Sequence, residues 1–238
     1  MYKRLLASEF LKIKRRWVWF LVVLGPIGVL ILQGLNFGLR YDYLTNLYKD
    51  DLWGGFLRTV QLFLTPVIIL GSTIIASMVA NVDHQSTSWK HLVSLPIRKR
   101  HIVGTKFIVS VLLLSVSCIL LSIGSTLLGI GLNFGTDFPW TEVIKTSFYP
   151  FLAALPILAI QLWISVIQQN QGLAITVGII GMIIGLFGPL LPDWFLWTWP
   201  SLMNETGNQL TNVYLGILVG LILFILLTIH FVRKDVEK

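Results

Sequence analysis

Three histidines occupy one short polar stretch of an otherwise apolar chain. They are His84, His91 and His101, in the segment DHQSTSWKHLVSLPIRKRH. A transition-metal site would need ligands at characteristic spacings, but the intervals here are seven and ten residues, and Asp83 is the only nearby carboxylate. The single cysteine, Cys118, excludes an internal disulfide and a cysteine-based zinc site. We therefore expect no metal ion to be bound here.

Catalytic motifs are also absent from the sequence. There is no H-E-x-x-H, no G-x-S-x-G and no G-x-x-x-x-G-K-[ST] phosphate loop. The long apolar runs hold no ionised residue near their centres, where ion-coupled carriers normally keep one. We expect the chain not to be an enzyme and to carry no cofactor. If it takes part in active transport, another polypeptide must supply the energy.

The composition predicts which elements position these residues. Of the 238 residues, 55% are hydrophobic and 12% charged, and the mean hydropathy is +0.79. A bilayer core about 30 Å thick needs roughly 20 apolar residues per helix. The sequence therefore predicts an all-α membrane protein with a single transmembrane domain over residues 1–238. Its six predicted transmembrane helices cover residues 17–36, 60–80, 104–132, 148–167, 172–191 and 213–232.

The charges predict the orientation of these helices. Most of the 18 lysines and arginines precede the first helix, follow the last, or lie between the second and third. The positive-inside rule then places both termini in the cytoplasm. The net charge of +7 is explained by contact with anionic membrane lipids, because no nucleic-acid-binding motif accompanies it.

Two further segments are predicted to lie at the membrane surface. In residues 1–16, Leu6, Phe10 and Ile13 fall on one helical face together with Trp17, which predicts an amphipathic helix in the headgroup plane. The alternative is a basic flank that only fixes topology. Residues 192–212, rich in proline and tryptophan, are interpreted as an external re-entrant or interfacial segment.

The cytoplasmic stretch predicts a short, stiff amphipathic helix over residues 86–96. Trp89, Leu92 and Val93 form an apolar strip at helical spacing, and Pro96 prevents the helix from continuing smoothly. Such a rod, joined tightly to two spans, could transmit a push from a protein docked on it. The alternative is a solvated basic flank.

These features together resemble a known family. The start KRLLASEFLKIKRRWVWFL, the six predicted spans and the intracellular TSWKHLVSLPIRKRHIVGTKF are similar to permease subunits of type-2 ABC exporters. The similarity is greatest to the small permeases that confer immunity to lantibiotics and bacitracin-like peptides. Such permeases usually carry an acidic residue just ahead of the small-Thr-Trp-Lys segment, where Asp83-His84-Gln85 stands here and no glutamate is found.

The resemblance implies roles for two groups of residues. Residues 1–16 would be a connecting helix, represented by Glu9, Phe10, Lys12 and Ile13. Residues 86–96 would be a coupling helix seated in a cleft of the ATP-binding subunit. The residues expected to make this contact are Trp89, Lys90, His91, Leu92, Val93, Pro96 and Arg100.

The resemblance also implies a location in a bacterial cell membrane, partners and a substrate. Two ATP-binding subunits, which would bind ATP and Mg²⁺, would join this chain and a second permease, identical or a sister subunit. The substrate would be an amphipathic peptide antibiotic that is expelled from the membrane. Its candidate path comprises Gln33, Asn36, Gln61, Gln161, Trp194 and Trp197. Two other interpretations remain open: a non-transporting accessory or sensory membrane protein, and an ATP-independent carrier of lipids or small solutes.

Overall fold

The computed structural model describes residues 2–14, 17–85, 99–135, 137–168, 170–187 and 190–234, and within them the chain is built from helices without any strand. In chain order the α-helices are α1 Tyr2–Ile13, α2 Val18–Leu39, α3 Tyr41–Leu47, α4 Leu52–Gln85, α5 Lys99–Gly131, α6 Trp140–Ala153, α7 Leu155–Ile167, α8 Gln171–Leu186 and α9 Gln209–Lys234. A 3₁₀ helix, Leu196–Ser201, lies between α8 and α9. The all-α fold class is confirmed.

Four of these helices are long and apolar enough to cross a membrane. They are Val18–Leu39, Leu52–Asp83, Arg100–Gly131 and Gln209–Arg233. The pair α6 and α7 makes a fifth span if its two bent halves are counted together. Helix α8 has only 16 residues and is shorter than a typical span. The chain is thus a multi-pass membrane protein, and the expected count of six spans is not confirmed.

The helix expected over residues 148–167 is broken. It begins earlier, at Trp140, and bends by 45° between α6 and α7. Pro150 and Pro156 lie on either side of the bend, and each lacks the N–H that a continuous helix would use. Helix α9 packs on the bend through Gly216 and Gly220, where a Cβ atom at 216 would lie 2.6 Å from the Leu152 carbonyl oxygen. The two glycines therefore allow the backbones to approach closely.

Helix α4 is the central element. It contacts α2, α5, α6, α7 and α8, and more than half of its apolar stretch is buried. It is 34 residues long, far longer than the span predicted over 60–80, because it begins at Leu52. The Asp51 carboxylate accepts a 2.8 Å hydrogen bond from the Gly54 amide, as an N-terminal cap does. The peripheral helices α2 and α9 leave most of their apolar surface exposed.

The segment 192–212 folds back against the bundle. The 3₁₀ helix contacts α4, α6 and α8, and Trp199 is buried while its indole donates a 2.7 Å hydrogen bond to the Asp193 carbonyl oxygen. Trp197 covers Gly181 of α8 so closely that a Cβ atom there would clash with the indole. Trp194 is 74% exposed and is the tryptophan of this segment that faces outward.

Candidate functional site

Helix α1 presents a mixed apolar and acidic face to the bundle. Leu6 and Phe10 are half-buried, Ile13 is buried, and Glu9 is buried between them. Positions 6, 9, 10 and 13 have the spacing of one helical face. Trp17, which the sequence places on this face, lies beyond the end of α1 and is 74% exposed. Its inclusion was wrong because the helix ends at Ile13.

Glu9 belongs to a closed ring of four charged side chains. Lys12 Nζ lies 2.6 Å from Glu9 Oε1 and 2.8 Å from Asp83 Oδ1. Lys106 Nζ lies 3.2 Å from Glu9 Oε2 and 2.5 Å from Asp83 Oδ2. Each carboxylate thus uses one oxygen for each lysine. The ring joins α1 to the last turn of α4, which holds Asp83, and to the second turn of α5, which holds Lys106.

Lys106 has a partner for each of its three protons. Besides the two carboxylates it donates a 2.9 Å hydrogen bond to the Val79 carbonyl oxygen of α4. The side chains of Lys106 and Asp83 are both 0% exposed. Burying an unpaired charge costs several kcal/mol, so ions are found inside proteins only when they are paired and hydrogen-bonded. Two carboxylates and two ammonium groups make this ring electrically neutral.

Lys12 closes the ring on the solvent side. Its side chain is 25% exposed, the largest exposure in the ring. Burial opposes its positive charge, but hydrogen bonds and Coulomb attraction from Asp83 and Glu9 outweigh that cost and hold the pKa of Lys12 above its ordinary value. Lys12 is therefore positively charged at neutral pH.

The ring lies at the base of the predicted coupling segment. Helix α4 ends at Gln85 and α5 begins at Lys99, so Asp83 and Lys106 flank residues 86–98 from both sides. A force applied to that segment would reach both helix ends and α1 together, because the ring links all three. This arrangement couples the amphipathic N-terminal helix to two long membrane-crossing helices.

The predicted coupling residues are only partly covered by the structure. Trp89, Lys90, His91, Leu92, Val93 and Pro96 lie outside the described residues. Arg100 lies in the first turn of α5 and is exposed. Of the predicted connecting-helix residues, Glu9 and Lys12 form the ring, while Phe10 and Ile13 pack against the bundle.

The predicted substrate-path glutamines occupy different environments. Gln33 is buried, and its side-chain oxygen accepts a 3.0 Å hydrogen bond from the Thr59 hydroxyl. Gln161 is also buried, and only with its amide oxygen and nitrogen exchanged does the nitrogen donate to the Ala174 carbonyl oxygen at 3.0 Å and the oxygen accept from the Gly178 N–H at 3.2 Å. Both amides therefore make contacts between helices.

Gln61 borders a mixed polar and apolar cavity of about 410 Å³ at the other end of α4. Its amide donates a 2.9 Å hydrogen bond to the Ser201 carbonyl oxygen, and Arg58 is an exposed cation of the same wall. Asn36 is half-buried in α2. Gln61 thus borders an open cavity, whereas Gln33 and Gln161 are buried between helices.

The two acidic residues of the ring are unusual in the sequence, but hydropathy and helical periodicity do not take them into account. Glu9 is an acid at an inward-facing position of α1, and Asp83 is the only acid in the apolar part of α4. Lys106 was one of the basic residues between the second and third predicted spans that served to predict orientation, whereas it is fully buried. Its partners Glu9 and the Val79 carbonyl are 97 and 27 residues away in sequence, so spacing alone could not pair them.

The described helices form an all-α multi-pass membrane protein with a buried charge ring at one end of α4 and α5. The profile of the family described as "ABC-2 family transporter protein" matches residues 5–185. The match covers more than half of the chain and includes every residue of the ring, so the chain belongs to this family. Neither a curated protein nor a solved structure matches the chain significantly.

Membership assigns the general role of the chain. It is an ABC-2 type permease, the membrane subunit of a transporter, and such subunits are generally not catalytic themselves. The family implies association with an ATP-binding subunit and with a membrane partner.

Proposed function

We propose that the chain is the permease of an ATP-driven exporter and that its ATP-binding subunit docks on residues 86–96. The observation that supports this proposal is the charge ring. It joins α1 to the two helix ends that flank the docking segment, so these elements move together. Hydrolysis of ATP on the partner would then shift α4 and α5 as one unit.

The docking proposal can be tested by changing the apolar strip of the segment. The double substitution Trp89→Asp with Leu92→Asp places two charges where a partner surface would bury apolar side chains. The purified permease should then lose its ATP-binding subunit and its ATP-dependent transport. The matched control is Trp194→Asp, which changes an exposed tryptophan elsewhere in the chain and should keep the subunit bound. Unchanged association in the double variant would refute the proposed docking.

We infer that the exported substrate is an amphipathic peptide antibiotic held in the outer part of the membrane. Two features support this class of substrate. The groove between α5 and α6, of about 490 Å³, is lined almost entirely by apolar side chains such as Ile123, Ile130 and Phe148. The cavity beside Gln61 adds polar groups and the cation Arg58. A peptide with apolar and polar faces would find partners in both.

The substrate proposal has its own test. The permease is co-expressed with its ATP-binding subunit in a sensitive bacterium, and survival is measured against lantibiotics and bacitracin. Resistance should rise in the wild type and fall when Gln61→Leu and Arg58→Gln are combined, with the ATP-binding subunit still bound. If no peptide stimulates ATP hydrolysis by the purified complex and sensitivity does not change, the peptide substrate is wrong while the docking proposal stands.

A further inference from the structure

A further cavity, different from the two described above, lies at the same end of the molecule as the charge ring. It has a volume of about 580 Å³ and lies between the first turns of α5 and the last turns of α9. Arg100 and His101 contribute from α5, and Arg233 contributes from the end of α9. Phe224 borders its inner part and stacks on Phe107 of α5, with the ring centroids 4.4 Å apart.

The cavity is cationic at one end and apolar at the other. Arg100 and Arg233 are exposed, and neither forms an ion pair with any residue that the structure describes. The nearest acids of the ring are already neutralised by Lys12 and Lys106. An anion is the ligand that this end favours.

The rest of the cavity wall is apolar and would contact an apolar part of the ligand. Ile225 and Ile229 are 55% and 45% exposed there, on the last turns of α9. The apolar stretch of α9 ends at Arg233 and that of α5 begins at Arg100, so the two arginines lie at the boundary between hydrocarbon and headgroups. Basic pockets between membrane helices at this depth suit anionic lipid headgroups.

We propose that this cavity is a binding site for an anionic phospholipid. The phosphate would lie between Arg100 and Arg233, and an acyl chain would cover Ile225 and Ile229. The lipid would bridge the start of α5 and the end of α9. Because Arg100 lies four residues after Pro96, the last residue of the segment on which the ATP-binding subunit is proposed to dock, headgroup charge would influence how α5 responds to docking.

Lipid retention by the purified full-length chain tests the site. The protein in mild detergent is exposed to equal amounts of phosphatidylglycerol and phosphatidylcholine, and native mass spectrometry counts the lipids retained. The wild type should prefer phosphatidylglycerol. The double variant Arg100→Gln with Arg233→Gln should reduce that preference by roughly 30-fold, since each basic residue near the surface contributes about fivefold and the two effects multiply.

Two controls decide whether the effect belongs to this cavity. The pair Arg40→Gln with Lys49→Gln removes two exposed cations from other sites and should leave the preference unchanged. Ile229→Trp changes no charge but fills the apolar wall, and it should also reduce phosphatidylglycerol retention. A preference that survives both the double variant and Ile229→Trp would overturn the proposal. Displacement of the lipid by millimolar inorganic phosphate would overturn it too, because the site would then accept phosphate alone.

Discussion

Replacing Lys106 by methionine tests the charge ring most sharply. Methionine has nearly the same length as lysine, so Lys106→Met removes a charge with little change in packing. The ring would keep two carboxylates but only one ammonium group, and Asp83 would be buried with Lys12 as its remaining ring partner. Removing one partner from a buried ion pair costs about 3–5 kcal/mol. Lys106 contacts two carboxylates and the Val79 carbonyl, which favours the upper part of that range.

The matched control is Lys145→Met. Lys145 lies 2.7 Å from Glu142, but the two side chains are 37% and 58% exposed. Exposed pairs contribute little to stability because water and salt screen them. The same substitution should therefore have a several-fold smaller effect at position 145 than at position 106.

The assay is equilibrium unfolding of the purified chain in detergent, with helicity as the signal. A second comparison combines Asp83→Asn with Lys106→Met, which restores neutrality because Glu9 and Lys12 remain. The double variant should be less destabilised than the sum of the two single variants. Equal effects of Lys106→Met and Lys145→Met, or simple additivity of the pair, would refute the argument that the ring is a coupled buried unit.

Three smaller effects follow from the packing of the helices. Gly216→Ala should destabilise the fold because its Cβ would meet the backbone of the bend between α6 and α7. Gly28→Ala should be neutral or slightly stabilising, because no atom lies within 4 Å of the added Cβ. Thermal unfolding of the two variants measures the difference. Trp199→Phe should cost about 0.5–1.5 kcal/mol through the lost indole hydrogen bond, while Trp194→Phe should lie within about 0.5 kcal/mol of wild type in the same unfolding assay. Cys118 is 2% exposed, so maleimide should modify it only after denaturation. Mass spectrometry measures the labelling, and rapid labelling of the native chain would contradict the burial of Cys118.

Much of the fold follows from the sequence because apolar length is a local property. The four long apolar helices and the amphipathic N-terminal helix lie where hydropathy and periodicity predict them. The observed helix ends differ from the predicted ones because the predicted spans stopped at charged and capping residues, whereas the helices continue through some of them. Helix α4 begins eight residues before its predicted span and continues to Gln85, carrying a buried acid that apolar counting excludes. The bend at Ala154 also departs from the prediction, although Pro150 and Pro156 are visible in the sequence.

The charge ring could not be predicted from the sequence, since it depends on three helices meeting in space. Glu9 and Lys12 were identified as connecting-helix residues, and Asp83 was noted only as a departure from the family pattern. The separations of 71 residues between Lys12 and Asp83 and of 97 between Glu9 and Lys106 exceed any local pattern. The same holds for Arg100 and Arg233, which lie in different segments and border one cavity.

We propose that residues 86–96 receive the ATP-binding subunit on the cytoplasmic side. The most direct measurement is the rate at which a membrane-impermeant maleimide labels a Trp89→Cys variant that also carries Cys118→Ser. We predict no labelling in intact cells, rapid labelling in inside-out vesicles that lack the ATP-binding subunit, and much slower labelling when the subunit is present. Labelling in intact cells, or the same rate with and without the subunit, would contradict the claim.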